Sequence, residues 1–121
     1  MRPDERDAAY LWHMLGAARE AQRSMADADF EEYLRDRDLQ AMTERRLEII
    51  GEAARGVSRE FWAAHPEIPW RAIIGQRNII AHMYYELRQR EVWDSATAGV
   101  AELIALLEPL VPPPPPDPDP D

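Results

Sequence analysis

The chain has 121 residues, of which 45% are hydrophobic and none is cysteine, and its formal net charge is −9. This length fits one domain, and the lack of cysteine excludes disulfides and thiolate metal sites. The negative charge argues against broad electrostatic binding to nucleic acid. However, every basic residue is an arginine, and a few arginines can form a local phosphate site.

The sequence contains no segment typical of membrane targeting. The N-terminal stretch "MRPDERDAAYLWHMLG" is charged and has no clean apolar stretch, so we expect no signal peptide. The longest apolar run, "VAELIALLEPLV", is interrupted by Glu102 and Glu108 and is too short to cross a bilayer. We therefore expect a cytoplasmic protein without a membrane partner.

Apolar residues recur at steps of three and four along residues 1–111, which predicts helices. The predicted helices cover residues 4–25, a short segment after the cap Asp29, residues 38–57, a short segment after the cap Ser58, a segment from Pro69 to Tyr85, and residues 89–108. No strand pattern or hairpin turn interrupts them. The sequence therefore predicts an all-α, up-and-down bundle of four to five main helices plus short ones.

Two further features concern packing and domain limits. Gly51 lies in the middle of a predicted helix, where glycine is unfavourable, so we expect another helix to cross closely there. The four tryptophans are expected to lie in the core; they are Trp12, Trp62, Trp70 and Trp93. The domain should end near residue 111, and residues 112–121 should form a disordered, extended proline- and aspartate-rich tail.

The stretch "RNIIAHMYY", residues 77–85, holds an arginine, an amide, an imidazole and two phenols. On an ideal helix Arg77, Ala81 and Tyr84 fall on one strip, whereas Arg77 and His82 lie roughly 140° apart. One small ligand could not reach both side chains. Either the helix is distorted or ends here, or a second copy of the chain completes the site; we favour a symmetric dimer.

These residues fit RNA cleavage without a metal. His82 can transfer protons near neutral pH, and Arg77 offers fixed positive charge to a phosphate. Asn78 could hold a phosphate oxygen or orient the imidazole of His82. Tyr84 could stack on a base. On spacing alone, the alternative that all are ordinary surface residues remains open. His13 and His65 lie in separate segments, and no metal-ligand pattern is visible.

"RNIIAHMY" resembles the arginine–histidine–tyrosine signature of HepT-like toxins of the HEPN superfamily. It is preceded by "LEIIGEAARGVS" and "HPEIPWRAIIGQ" in that family's order, and the resemblance covers most of residues 4–108. It implies an all-helical, homodimeric endoribonuclease that cuts RNA without a metal or other cofactor. Arg77 and His82 would be catalytic, and Asn78 would support them.

The same resemblance implies regulation by a partner. In a type VII-like toxin–antitoxin pair, an MntA-like nucleotidyltransferase antitoxin would silence the toxin by AMPylation of Tyr84. The added nucleotide would place bulk and phosphate charge beside the arginine. An alternative is a non-catalytic HEPN helical module that binds a nucleotide or a nucleotidyltransferase partner, which the net charge also permits.

Overall fold

A computed structural model describes residues 2–113, except for the side chains of Arg77 and Ile79. Its helices are α1 (Glu5–Met25), α2 (Phe30–Arg35), α3 (Arg37–Gly56), α4 (Arg59–Ala64), α5 (Trp70–Ala81), α6 (Tyr85–Asp94) and α7 (Val100–Leu107), with a π turn (Ser95–Gly99) between the last two. Residues 2–113 contain no strand. The all-α prediction is confirmed.

Short polar side chains set where four of the helices begin. Asp4, Asp29, Asp36 and Ser58 accept hydrogen bonds from the backbone N–H groups of Asp7, Glu32, Leu39 and Phe61 at 2.7, 2.8, 3.0 and 3.2 Å. Such caps satisfy N–H groups that have no partner within the helix. The caps predicted at Asp29 and Ser58 are therefore confirmed.

The larger core cluster joins α1, α3 and α7 with the α4–α5 region. Its buried members are Leu11, Met14, Leu15, Ala17, Ala18, Ala21, Ile50, Ala53, Ala54, Val57, Phe61, Ile68, Trp70, Val100, Leu103, Ile104 and Leu107. A Cβ atom at Gly51 would lie 3.3 Å from the carbonyl oxygen of Ile73 and 3.8 Å from the Cα of Ile74. The predicted close helix crossing at Gly51 is confirmed, and α5 is the helix that crosses.

A smaller cluster lies beneath α2 and α6. It contains Met25, Tyr33, Ile80, Val92 and Ala96. Leu47 of α3 packs against both clusters. Val92 lies in α6 and Ala96 in the π turn, which continues into α7, so one continuous helical segment contacts both clusters.

Two expectations about packing and boundaries are wrong. Trp12 is 40% exposed and so does not lie in the core. The last helical segment begins at Tyr85, four residues before the predicted start. Trp70 is buried, Trp62 stacks on it with ring centroids 5.8 Å apart, and Trp93 packs against the smaller cluster.

Within residues 2–113, no helix combines the length and the apolar character needed to cross a membrane. The predicted tail, residues 112–121, lies outside the described residues from position 114 onward.

Candidate functional site

The signature residues lie where one helix ends and the next begins. Helix α5 ends at Ala81, and the N–H of Met83 donates to the Ile80 carbonyl at 3.2 Å. Tyr84 has extended backbone angles (φ −60°, ψ 151°) and precedes the first residue of α6. We call residues 82–84 the motif turn. The projection of residues 77–85 onto one ideal helix is therefore wrong, and the alternative that the helix ends here is confirmed.

The motif turn is presented to solvent. Asn78, His82 and Tyr84 are all exposed, Tyr84 to 85%. Tyr84 is thus not buried against the last helix. The backbone of Arg77 lies in α5, but its side chain is outside what the structure describes. The convergence of Arg77 and His82 on one phosphate stays a prediction.

A set of polar contacts holds the start of α6 against α2 and α3. The Tyr85 hydroxyl donates to Gln40 Oε1 at 3.0 Å, and the Tyr33 hydroxyl donates to Gln89 Oε1. Arg88 pairs with Glu44 through its Nε (2.8 Å) and Nη2 atoms. Burial raises the pKa of Tyr33, and the neighbouring Glu44 carboxylate raises it further.

Sequence reasoning missed this set of contacts. The motif assigns no role to Tyr85, and nothing beside Gln40 in the sequence marks it as part of the site. Gln40 is separated from Tyr85 by 45 residues, and a helical glutamine is ordinarily an exposed surface residue. No local pattern distinguishes a glutamine that will be buried from one that will not.

A cleft of about 410 Å³ lies between α3, α5 and α6 and reaches Ala81, next to the motif turn. Its charged lining residues are Glu44, Glu48, Glu52, Arg55 and Arg88. Three carboxylates against two guanidinium groups do not favour an RNA phosphate inside the cleft.

The two histidines outside the motif lie on different helical elements, His13 in α1 and His65 at the end of α4. His13 is exposed on α1, and His65 Nδ1 lies 3.1 Å from Glu67 Oε1. A backbone hydrogen bond, followed by the interaction with His65, lowers the pKa of Glu67. In the part of the chain that the structure describes, no group of three histidine or carboxylate side chains is placed to hold a metal ion.

An all-α chain whose arginine–histidine–tyrosine motif spans a helix junction agrees with a HEPN-like fold. The family described as Ribonuclease HepT-like matches residues 14–110. This chain belongs to that family, and the expectation from the motif is confirmed.

Individual relatives cover most of both chains. "Putative RNase MJ1380" of Methanocaldococcus jannaschii is 32% identical over 95 residues, which are 78% of this chain and 87% of the relative. "Putative RNase TTE0752" of Caldanaerobacter subterraneus is 32% identical over 94 residues, 78% of this chain and 84% of the relative. "Probable ribonuclease HepT" of Thermococcus cleftensis is 36% identical over 81 residues, which are 67% of this chain and 74% of the relative. No solved structure matches the chain significantly.

Proposed function

We propose that the protein is a metal-independent endoribonuclease toxin that a nucleotidyltransferase antitoxin silences by AMPylation of Tyr84. Its membership of the HepT-like ribonuclease family supports RNA as the substrate. The observation that carries the proposal is the exposed motif turn, in which His82 and Tyr84 lie outside the packed core. A long, folded substrate such as RNA can reach side chains placed in this way.

The proposed reaction is transesterification at one phosphodiester. A base removes the proton of the ribose 2′-hydroxyl, the 2′-oxygen attacks phosphorus, and the 5′-oxygen leaves as it accepts a proton. His82 is the group suited to move these protons near neutral pH. Arg77 would stabilise the negative charge that grows on the phosphate, and Asn78 would hold a phosphate oxygen or orient the imidazole.

The proposed active form is a homodimer. Attack and departure need a proton acceptor and a proton donor at the same phosphate, and each copy has one motif histidine. A second copy placed with its motif turn against the first would supply the second imidazole and a further arginine. Tyr84 and Leu87, which are 85% and 62% exposed, lie three residues apart and leave apolar surface at this end of the molecule.

Tyr84 suits the role of modified residue better than its neighbour. Its hydroxyl has no hydrogen-bond partner among the described residues, whereas the Tyr85 hydroxyl donates to Gln40. A nucleotidyltransferase needs a free hydroxyl that can attack the α-phosphate of a nucleotide. The adduct would add a phosphate and a nucleoside directly beside His82.

Cleavage of labelled RNA by purified variants tests the catalytic assignment. We expect His82→Ala to lower turnover by about 10²–10⁴, the range for a lost general acid–base group. His13→Ala is the matched control, because His13 is also exposed but lies on α1, and it should cleave at the wild-type rate. EDTA should leave the activity unchanged. Undiminished cleavage by both His82→Ala and Arg77→Ala would refute the assignment.

The regulatory claim needs a separate measurement. The intact mass of the protein produced with its nucleotidyltransferase partner should increase by whole AMP units. Tyr84→Phe should abolish the increase, whereas Tyr85→Phe should still gain mass. Modification that persists in Tyr84→Phe would show that another residue is the target.

The second candidate is a non-catalytic module that binds a nucleotide or a nucleotidyltransferase. The net charge of −9 and the acidic cleft favour it, because both oppose the approach of RNA. In that case no RNA would be cut at any protein concentration, while nucleotide binding would still depend on Arg77.

A further inference from the structure

One face of α6 is attached to the rest of the molecule by polar contacts. Tyr85, Arg88 and Gln89 are spaced at i, i+3 and i+4, so they project from the same side of the helix. Their partners are Gln40 and Glu44 on α3 and Tyr33 on α2. Hydrogen bonds depend on direction far more than apolar contacts do. These contacts therefore fix the rotation of α6 about its axis.

Gln40 can accept from Tyr85 in only one orientation. It is 5% exposed, and its Nε2 donates to the carbonyls of Tyr33 at 2.9 Å and Leu34 at 3.1 Å. Both N–H groups of the amide are thereby used. A flip of the amide would leave two carbonyls at the end of α2 without these donors. Its oxygen is therefore held toward the Tyr85 hydroxyl.

Tyr85 is the first residue of α6 and the polar anchor nearest the motif turn, whereas Arg88, at the end of the same helical turn, pairs with Glu44. Tyr84 occupies the position before the helix, and no side chain caps the N–H groups there. Tyr84 and Tyr85 are about 100° apart around the helix. A rotation of that size would move Tyr85 into the direction that Tyr84 now occupies. The Tyr85–Gln40 hydrogen bond opposes this exchange.

We propose that Tyr85 is a positioning residue: its hydrogen bond to Gln40 holds the motif turn so that His82 and Tyr84 face the substrate. The effect on catalysis rests on the proposed ribonuclease function. Tyr85 itself touches no reacting atom. It acts through the first turn of α6, whose start sets the direction of the motif turn.

Tyr85→Phe removes only the hydroxyl and tests the proposal directly. Misplacement of a catalytic group by about 1 Å can lower a rate by up to ~10², so we expect kcat to fall about tenfold with KM changed less than about twofold. Tyr10→Phe is the matched control. Tyr10 packs against the larger core cluster, and its hydroxyl has no hydrogen bond among the described residues. Both variants are assayed well below their melting temperatures.

Hydrogen–deuterium exchange gives a readout that does not require activity. In Tyr85→Phe, the amides of Met83 and Arg88, which donate to the carbonyls of Ile80 and Tyr84, should exchange about fivefold faster, the factor for one hydrogen bond of ordinary net strength. Amides of α1 should exchange as in the wild type. A purely global loss of stability would instead speed exchange in α1 as well, and that result would overturn the proposal.

A double-mutant cycle identifies the partner. If Tyr85 acts through Gln40, the loss of rate in Tyr85→Phe/Gln40→Ala should be smaller than the product of the two single losses. If the rate losses of the two single variants simply multiply in the double variant, Tyr85 and Gln40 act independently. That result would overturn the assignment of Gln40 as the partner. If the wild-type protein cuts no RNA, the proposed function fails. The exchange experiment then decides the positioning role alone: faster exchange of the Met83 and Arg88 amides supports it, and unchanged exchange overturns it.

Discussion

Tyr33 illustrates how a single buried phenol contributes to this fold. Its ring packs against Phe30 and Trp93, with centroids 6.4 and 5.5 Å away, and its hydroxyl donates to Gln89. The side chain is fully buried. A phenolate at this place would lose hydration and face the Glu44 carboxylate, and for these reasons the pKa of Tyr33 is raised.

The raised pKa of Tyr33 predicts a loss of stability in alkali. The neutral phenol is favoured in the folded state, so its contribution is complete below the unfolded-state pKa of about 10 and is lost as the pH rises beyond it. The free energy of unfolding of the wild type should therefore fall more steeply above pH ~10 than that of Tyr33→Phe. Chemical denaturation at several pH values measures this.

The control for that experiment is Tyr10→Phe, which should keep the wild-type slope because the Tyr33 phenol is unchanged. Identical alkaline slopes in the wild type and Tyr33→Phe would contradict the prediction.

At the residue scale, sequence reasoning succeeded where the cause is local. Asp29 and Ser58 cap helices by binding an N–H three residues ahead, and that geometry is contained in a short stretch of chain. The predicted burial of Trp12 is wrong because it depends on how wide a face of α1 the other helices cover. The Tyr85–Gln40 hydrogen bond was missed because it depends on the packing of α3 against α6.

At the scale of helices, the junction between α5 and α6 determines how the site is presented. Residues 77–85 contain no glycine or proline, so nothing local indicates that the helix stops at Ala81. The structure places Ile80 in the smaller core cluster and bonds Tyr85 to Gln40. Tertiary contacts on both sides of the motif turn thus account for the break, which the helical projection could not include.

Two of the mid-helix glycines, Gly16 and Gly51, should respond differently to alanine. A Cβ at Gly16 would have no atom within 4 Å, so Gly16→Ala should raise the free energy of unfolding by about 1 kcal/mol through helix propensity. At Gly51 the Cβ would press on the Ile73 carbonyl at 3.3 Å, and α5 would have to move by a few tenths of an ångström. The strain from this movement should cancel the stabilisation that Gly51→Ala brings through helix propensity.

Urea unfolding of both variants checks the contrast between these glycines. Gly51→Val, which adds two further methyl groups at the crossing, should lower the free energy of unfolding by about 1–3 kcal/mol. Equal stabilisation by alanine at both positions would show that the α3–α5 crossing is looser than the structure indicates.

At the scale of the whole molecule, the two core clusters share a residue and a helical segment that pack against both. Leu47 packs against both, and the segment from α6 through the π turn to α7 contributes Val92 to one and Leu107 to the other. Because neither cluster can lose this segment without affecting the other, we expect residues 2–113 to unfold in one cooperative transition.

Core truncations test this cooperativity. Phe61→Ala in the larger cluster should lower the free energy of unfolding by about 3–5 kcal/mol. Val92→Ala in the smaller cluster should lower it by roughly 2 kcal/mol, from two lost carbon groups and the space they leave. Calorimetry should show one transition in both variants. A second, separate transition in Val92→Ala would contradict the expected coupling.

The whole-molecule prediction from sequence was correct in class, because helical periodicity runs through nearly the entire domain. The sequence could not predict that the helices would pack around two separate core clusters. Leu47, for example, shows the same apolar periodicity whether it contacts one cluster or two, and only the packed structure distinguishes these cases.

The exposure of Tyr84 has a consequence for how such a protein can be controlled. With 85% of its surface in water, a large group attached to its oxygen would displace no packed atom and break no hydrogen bond recorded among the described residues. Covalent modification of the Tyr84 hydroxyl would therefore leave the melting temperature of the protein almost unchanged. If Tyr84 is modified as proposed, the activity of the protein could therefore change while its folding stability stays the same.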